Sequence, residues 1–204
     1  AQWIRLSQRW KKPSKSSISE ARQQVGPQVM SRLFHLVARP LATEQTPGAF
    51  LKGLRLMAVD GTVFDLPDTD ANARVFGYPG TRAGTQASFP KARLVLLVEA
   101  GTHLITDALL SPYRMGERRK ALKLLRSVGP GMLLMWDRGL HSFKMVKATQ
   151  DRGSHFLGRV PKNVKFEVVQ TFEDGSFLSW IAPDRKSKNK GAERIPIRVI
   201  EYTI

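Results

Sequence analysis

Two aspartates stand where chemistry could be done. Asp60 ends the apolar run Leu54–Val59 in LRLMAVDGTVFDLPD, and Asp137 ends the run Met132–Trp136 in MLLMWDRGLHS; a glycine follows each within two residues. Near-continuous apolarity over five or six residues suits a strand covered on both faces, and side chains at the carboxyl ends of such strands gather at one edge of an α/β sheet, where ligands bind. Two carboxylates brought together there repel unless a cation lies between them. Hard oxygen donors with open water positions suit Mg²⁺ or Mn²⁺, which can activate water or a 3′-hydroxyl for in-line attack at phosphorus. The competing reading is two unrelated turns, since Asp and Gly are common turn residues. Asp60-Gly61 is expected to close its strand in such a turn.

The elements that would position the pair follow from the pattern. Residues 92–98 (ARLVLLV) and 103–110 (HLITDALL) are read as two further strands, antiparallel because the turn between them is short. Residues 116–127 (GERRKALKLLRS) are an amphipathic helix with Ala121, Leu124 and Leu125 inward and most of its bases outward. The Asp137 strand comes next, then a helix around Phe143, Met145 and Val146 that Ser142 could cap, then a strand over 155–160. Three antiparallel strands, a helix and a fourth strand bring the first and fourth strands side by side, with Asp60 and Asp137 in reach of one ion. Upstream, Ser17 and Glu20 have capping-box spacing, Gly26 stops that helix, and Pro27 opens a second whose face Val29, Met30, Leu33, Phe34 and Val37 should pack in a core before Pro40. Residues 67–91, with three prolines and three glycines, are read as a long basic loop without regular structure. After Val160, a hairpin around Glu173-Asp174-Gly175, a basic stretch and a strand-like end follow.

Composition narrows the partners. The chain of 204 residues carries a net charge of +16, with +7 in residues 1–53, +7 in 54–160 and +2 in 161–204. A basic excess of this size attracts polyanions, nucleic acid first. The cations singled out for a DNA backbone are Arg82, Lys91 and Arg93 around the end of the long loop, Arg118 and Arg119 on the amphipathic helix, and Arg138 beside Asp137. For Arg138, pairing with an acid is the equal alternative. There is no cysteine, so thiol nucleophiles, disulfides and cysteine-held zinc are excluded. The four histidines lack metal-ligand spacing, and neither a GxSxG elbow nor a GxxxxGKS phosphate loop occurs. No run is long and apolar enough for a membrane span and the start lacks a signal-peptide core, so a soluble cytoplasmic protein is expected.

With these residues in place, AVDGTVFDLPDT, GTRAGTQASFPKARLVLLVEAGTH and LLMWDRGLHS resemble the DDE transposases of bacterial insertion sequences, in the family commonly called IS-four. The likeness runs from about residue 50 to the end. It implies an α/β, ribonuclease-H-like mixed sheet with flanking helices, preceded by an N-terminal helical segment (1–50) that binds DNA. The catalytic core would span 51–160, and 161–204 would begin an all-β insertion. By motif, Asp60 and Asp137 become the first two catalytic, metal-binding acids, with two Mg²⁺ (or Mn²⁺) ions. The implied partners are element ends and target DNA, bound by a homodimer at full length in the bacterial nucleoid. The family's third acid, a glutamate in a motif of tyrosine, arginine, glutamate and lysine, has no match here, so the resemblance implies a fragment as the expectation. A DNA-binding fragment without catalysis that competes with the intact enzyme is the alternative. A ribonuclease-H-like nuclease using Glu117 as a third ligand is a further one, though a charge favoured at a helix N-terminus explains Glu117 equally.

Overall fold

The computed structural model describes residues 12–80, 87–183 and 193–202. Arg82 lies outside them. The chain divides into two compact units, Ala1–Arg39 and Pro40–Ile204.

Among its described residues the first unit holds one helical stretch, α1 (Lys15–Val37), broken at Gly26, whose φ of 74° lies outside the helical region. That break admits Pro27 as the start of the second half. The N-cap of α1 is Ser14, whose side chain accepts from the Ser17 amide at 3.1 Å, so the helix starts three residues before the capping box read from sequence. The apolar face of the second half is exposed rather than packed in a core: Val29, Met30, Leu33 and Val37 are all exposed.

The second unit is built on a six-stranded mixed sheet. Its strands are β1 (Phe50–Leu51), β2 (Leu54–Asp65), β3 (Lys91–Glu99), β4 (Leu104–Pro112), β5 (Met132–Trp136) and β6 (His155–Gly158), in the order β4-β3-β2-β5-β6, with β1 paired to β2. β2, β3 and β4 are antiparallel, whereas β5 and β6 run parallel to β2. Helix α3 (Glu117–Leu124), continued by a 3₁₀ turn (Leu125–Ser127), is the crossover into β5, and α4 (Phe143–Gln150), capped by Ser142, is the crossover into β6. Both helices bury their apolar sides in one cluster with Met57, Val59, Val95, Leu97, Leu134 and Trp136. A small antiparallel sheet, β7 (Gln170–Thr171), β8 (Phe177–Ile181) and β9 (Ile195–Val199), adds Ile181 and Ile195 to that cluster.

In this unit two expectations are corrected. Asp60-Gly61 is not a turn: β2 runs on to Asp65, because β3 supplies an antiparallel partner for every residue from Met57 to Asp65. The stretch after it is not wholly irregular either. Thr69 caps a short helix, α2 (Asp70–Phe76), by accepting from the Asn72 amide, and Gly77 ends it at φ 70°. A hydroxyl before the first turn and a glycine after the last are the ordinary start and stop of a helix.

Candidate active site

Strand register places the two acids. The last β2–β5 pair is Val59 with Trp136, so Asp60 and Asp137 are the next residues on two adjacent parallel strands, about 4.8 Å apart by ordinary strand spacing. Val59 and Trp136 are buried in the helix-covered core. Side chains alternate along a strand, so both aspartates project from the opposite face, where both are exposed. Asp137 keeps an extended backbone (φ −82°, ψ 165°), which carries the alternation one residue past β5. Asp60 stays on the sheet, and its Oδ1 accepts from the Gly61 amide at 2.8 Å.

The row has a third member. The last β5–β6 pair is Trp136 with Gly158, which sets Arg159 beside Asp137. The Arg159 amide donates to the Trp136 carbonyl at 3.0 Å, and its Nη1 stands 3.3 Å from Asp137 Oδ1. Gly158 is required here, because a Cβ would collide with Nε1 of the Trp136 indole. The Trp136 ring lies over it and stacks on Phe156, centroids 5.3 Å apart. Sequence reasoning missed Arg159, although HFLGR repeats the signal of the two aspartates, a strand ending on a charge.

The turn after Asp137 is pinned from the side. Arg118 Nε donates to the Gly139 carbonyl at 2.7 Å, tying α3 to the 3₁₀ turn Arg138–Leu140. Next to it, burial and the charge of Arg118 lower the pKa of His141, which packs edge-on to Phe166. Arg138, His141, Arg159 and Phe166 line a cavity of about 860 Å³ that begins beside the acidic pair. The other cations named from sequence divide. Lys91 pairs with Asp65 at 2.7 Å, and Arg93 pairs with Glu117 at 3.1 Å while lying over the Tyr113 ring. Arg119 and Arg138 are exposed.

Glu117 approaches β2 from the α3 side: a Cβ on Gly61 would meet its Cδ at 2.7 Å. Asp60 points away from that face, so the two acids lie on opposite sides of the strand. Among the described residues, no three histidine, aspartate or glutamate side chains gather as an ion site. Asp60 and Asp137 are the two carboxylates whose adjacency could serve one divalent ion, with the rest of its shell left to water or substrate.

This sheet order, with acids at the middle of one strand and the end of its parallel neighbour, defines a ribonuclease-H-like α/β domain. The chain belongs to the DDE transposase family, whose model, the Transposase DDE domain, matches residues 51–203. It is 28% identical over 177 residues to Transposase InsG for insertion sequence element IS4 of Escherichia coli (strain K12), covering 86% of this chain and 40% of that protein. It is also 28% identical over 159 residues to the Putative transposase InsZ of the same strain, covering 77% of this chain and 53% of that protein. The chain thus spans about half or less of the length of these curated relatives. Among solved structures, the cryo-EM structure of the piggyBac transposase synaptic complex with hairpin DNA aligns with a TM-score of 0.38 and 14% identity, covering 75% of this chain and 33% of that one.

Proposed function

We propose that this chain is the portion of an insertion-sequence transposase that supplies two of its catalytic acids, Asp60 and Asp137. The observation that carries this is the register that sets both carboxylates side by side on one open face. A divalent ion bound there, Mg²⁺ or Mn²⁺, would supply an activated water or 3′-hydroxyl and stabilise the leaving oxygen at phosphorus. The chain's own residues do the rest. The β2–β5 ladder fixes the spacing of the acids, Arg118 holds the turn after Asp137, and exposed Arg119 and Arg138 offer charge to a phosphate backbone. In the intact enzyme two ions act, a later glutamate completes the ligand set, and the enzyme works as a homodimer on element ends and target DNA.

The test is substitution in the full-length transposase. Asp60→Asn and Asp137→Asn should each lower Mg²⁺-dependent strand cleavage by at least about a hundredfold, with end-DNA affinity within about twofold of the parent. Cleavage at the parent rate by either variant rejects the assignment. The second reading, a DNA-binding chain without catalysis that competes with the intact enzyme, draws on the net charge of +16. A nicking assay on the 204-residue chain separates the two: salt-sensitive binding without nicking favours the competitor.

A further inference from the structure

Asp60, Asp137 and Arg159 form a row of successive charges across three adjacent parallel strands, minus, minus, plus, each one residue beyond the last pair of the parallel β2–β5 and β5–β6 ladders. The backbone of Arg159 is fixed by the hydrogen bond its amide donates to the Trp136 carbonyl, and the preceding residue is a glycine that leaves room for the Trp136 ring. Its guanidinium is held 3.3 Å from Asp137. No other described cation pairs with either aspartate, and two carboxylates on adjacent strands without a counter-charge repel.

We propose that Arg159 is a built-in counter-ion of the acidic pair that a divalent cation displaces. Before the metal binds, Arg159 neutralises Asp137 and keeps the two acids from splaying. With a divalent ion bound, Asp137 Oδ1 would exchange the guanidinium for the ion, and Arg159 would be free to turn toward the cavity it lines. Arg159 is therefore a positioning residue that sets how much metal the site needs. The Arg159 and Asp137 side chains are 67% and 53% exposed. Water screens a pair so exposed, and its competition with the metal is accordingly modest. This inference rests on Asp60 and Asp137 being metal ligands, and its test is chosen to separate the two ideas.

The measurement is Mn²⁺ titration of the 204-residue chain, followed by paramagnetic broadening of the Gly61 and Arg138 amide NMR signals, with no DNA present. Arg159→Gln should bring both signals to half-broadening at an about fivefold lower Mn²⁺ concentration, whereas Arg159→Lys, which keeps the charge, should stay within about twofold of the parent. In an Asp137→Asn background, Arg159→Gln should have no effect. If Arg159→Gln titrates like the parent while Asp137→Asn weakens binding, the counter-ion idea fails and the metal site stands. If neither Asp60→Asn nor Asp137→Asn alters the broadening, the metal site itself fails. Should Arg159→Gln lose the native amide spectrum, the lysine variant decides: a shift of fivefold or more with the charge retained overturns the proposal.

Discussion

Gly61 separates two acids that sequence alone would group together. Asp60 projects from one face of β2, while on the other the Glu117 carboxyl lies against the Gly61 Cα, engaged with Arg93 at 3.1 Å. Arg93 has little freedom to follow a displaced partner, since its Nε is already buried without a hydrogen bond and its guanidinium lies over Tyr113. Gly61→Ala would place a methyl 2.7 Å from both Glu117 Cδ and Oε1, so the glutamate must swing away and leave Arg93 uncompensated. The expected loss is about 1–3 kcal/mol of unfolding free energy. It is read by urea denaturation in a cycle with Glu117→Ala, where the two substitutions should be clearly non-additive. Additive losses would mean that the contact does not constrain residue 61. Asp60 itself should be unaffected in this cycle, because its carboxylate takes no part in the Glu117 contact.

At the scale of elements, the α3–β5 crossover is clasped by a buried acid in β4. Asp107, only 2% exposed, accepts from Arg126 Nε and Nη2, both at 2.8 Å, and from Ser127 Oγ at 2.6 Å, so one carboxylate fixes the 3₁₀ turn that delivers the chain to β5 and Asp137. Burial pushes the Asp107 carboxyl up, but the bonds from Arg126, Ser127 and the Ala108 amide outweigh it and leave the pKa below its ordinary value. A carboxyl whose folded pKa is depressed contributes stability above its unfolded value, about 3.9, and loses that contribution as pH falls through the folded pKa. Asp107→Asn should therefore cost about 2 kcal/mol near pH 6 and close the gap to the parent below about pH 4. Urea midpoints measured from pH 6 to pH 2.5 check this; a gap that stays constant over the range would show that the charge of Asp107 is not what holds the turn. Glu99 titrates in the same acid range: burial raises its pKa, but bonds from Thr102, the Ala42 and Leu41 amides and Arg55 outweigh that and lower it. Only the difference between parent and variant therefore reports Asp107. Clasps of this kind were not legible beforehand: Asp107 reads as one polar residue in an apolar strand, and its partners lie 19 and 20 positions away. What is legible is periodic or apolar: β3, β4, β5, both crossover helices and the side-by-side placing of the first and fourth long strands. What failed was local. The Asp-Gly turn signal at residue 60 was overridden by pairing with β3, and α2 forms inside a stretch rich in proline because Thr69 caps it and none of those prolines falls within it. Arg159 does not stand out in the sequence because its place depends on register with Asp137, which no single segment reveals.

For the molecule as a whole, the net charge of +16 is a claim about partners rather than about the fold. The structure sorts which of the cations named from sequence are free to act on the proposed DNA. Lys91 and Arg93 face acids, and Arg118 donates to a backbone carbonyl, whereas Arg119 and Arg138 are exposed, with Arg138 next to Asp137. Phosphate neutralisation releases counterions, so the affinity of the chain for duplex DNA should fall with salt along a log–log slope of about −0.9 per phosphate engaged. The variant Arg119→Gln/Arg138→Gln should flatten that slope by about 2. Lys91→Gln should change it by well under about 1, because that lysine already compensates Asp65. Fluorescence anisotropy with a labelled duplex between about 50 and 200 mM salt measures both. If the lysine variant flattens the slope as much as the arginine pair does, the ion pair at the far end of β2 opens on binding, and the DNA track runs along β2 and β3 rather than past the turn that carries Asp137. If no variant moves the slope, the binding charge lies in other segments, and the cations flanking the acidic pair are not those that hold the DNA.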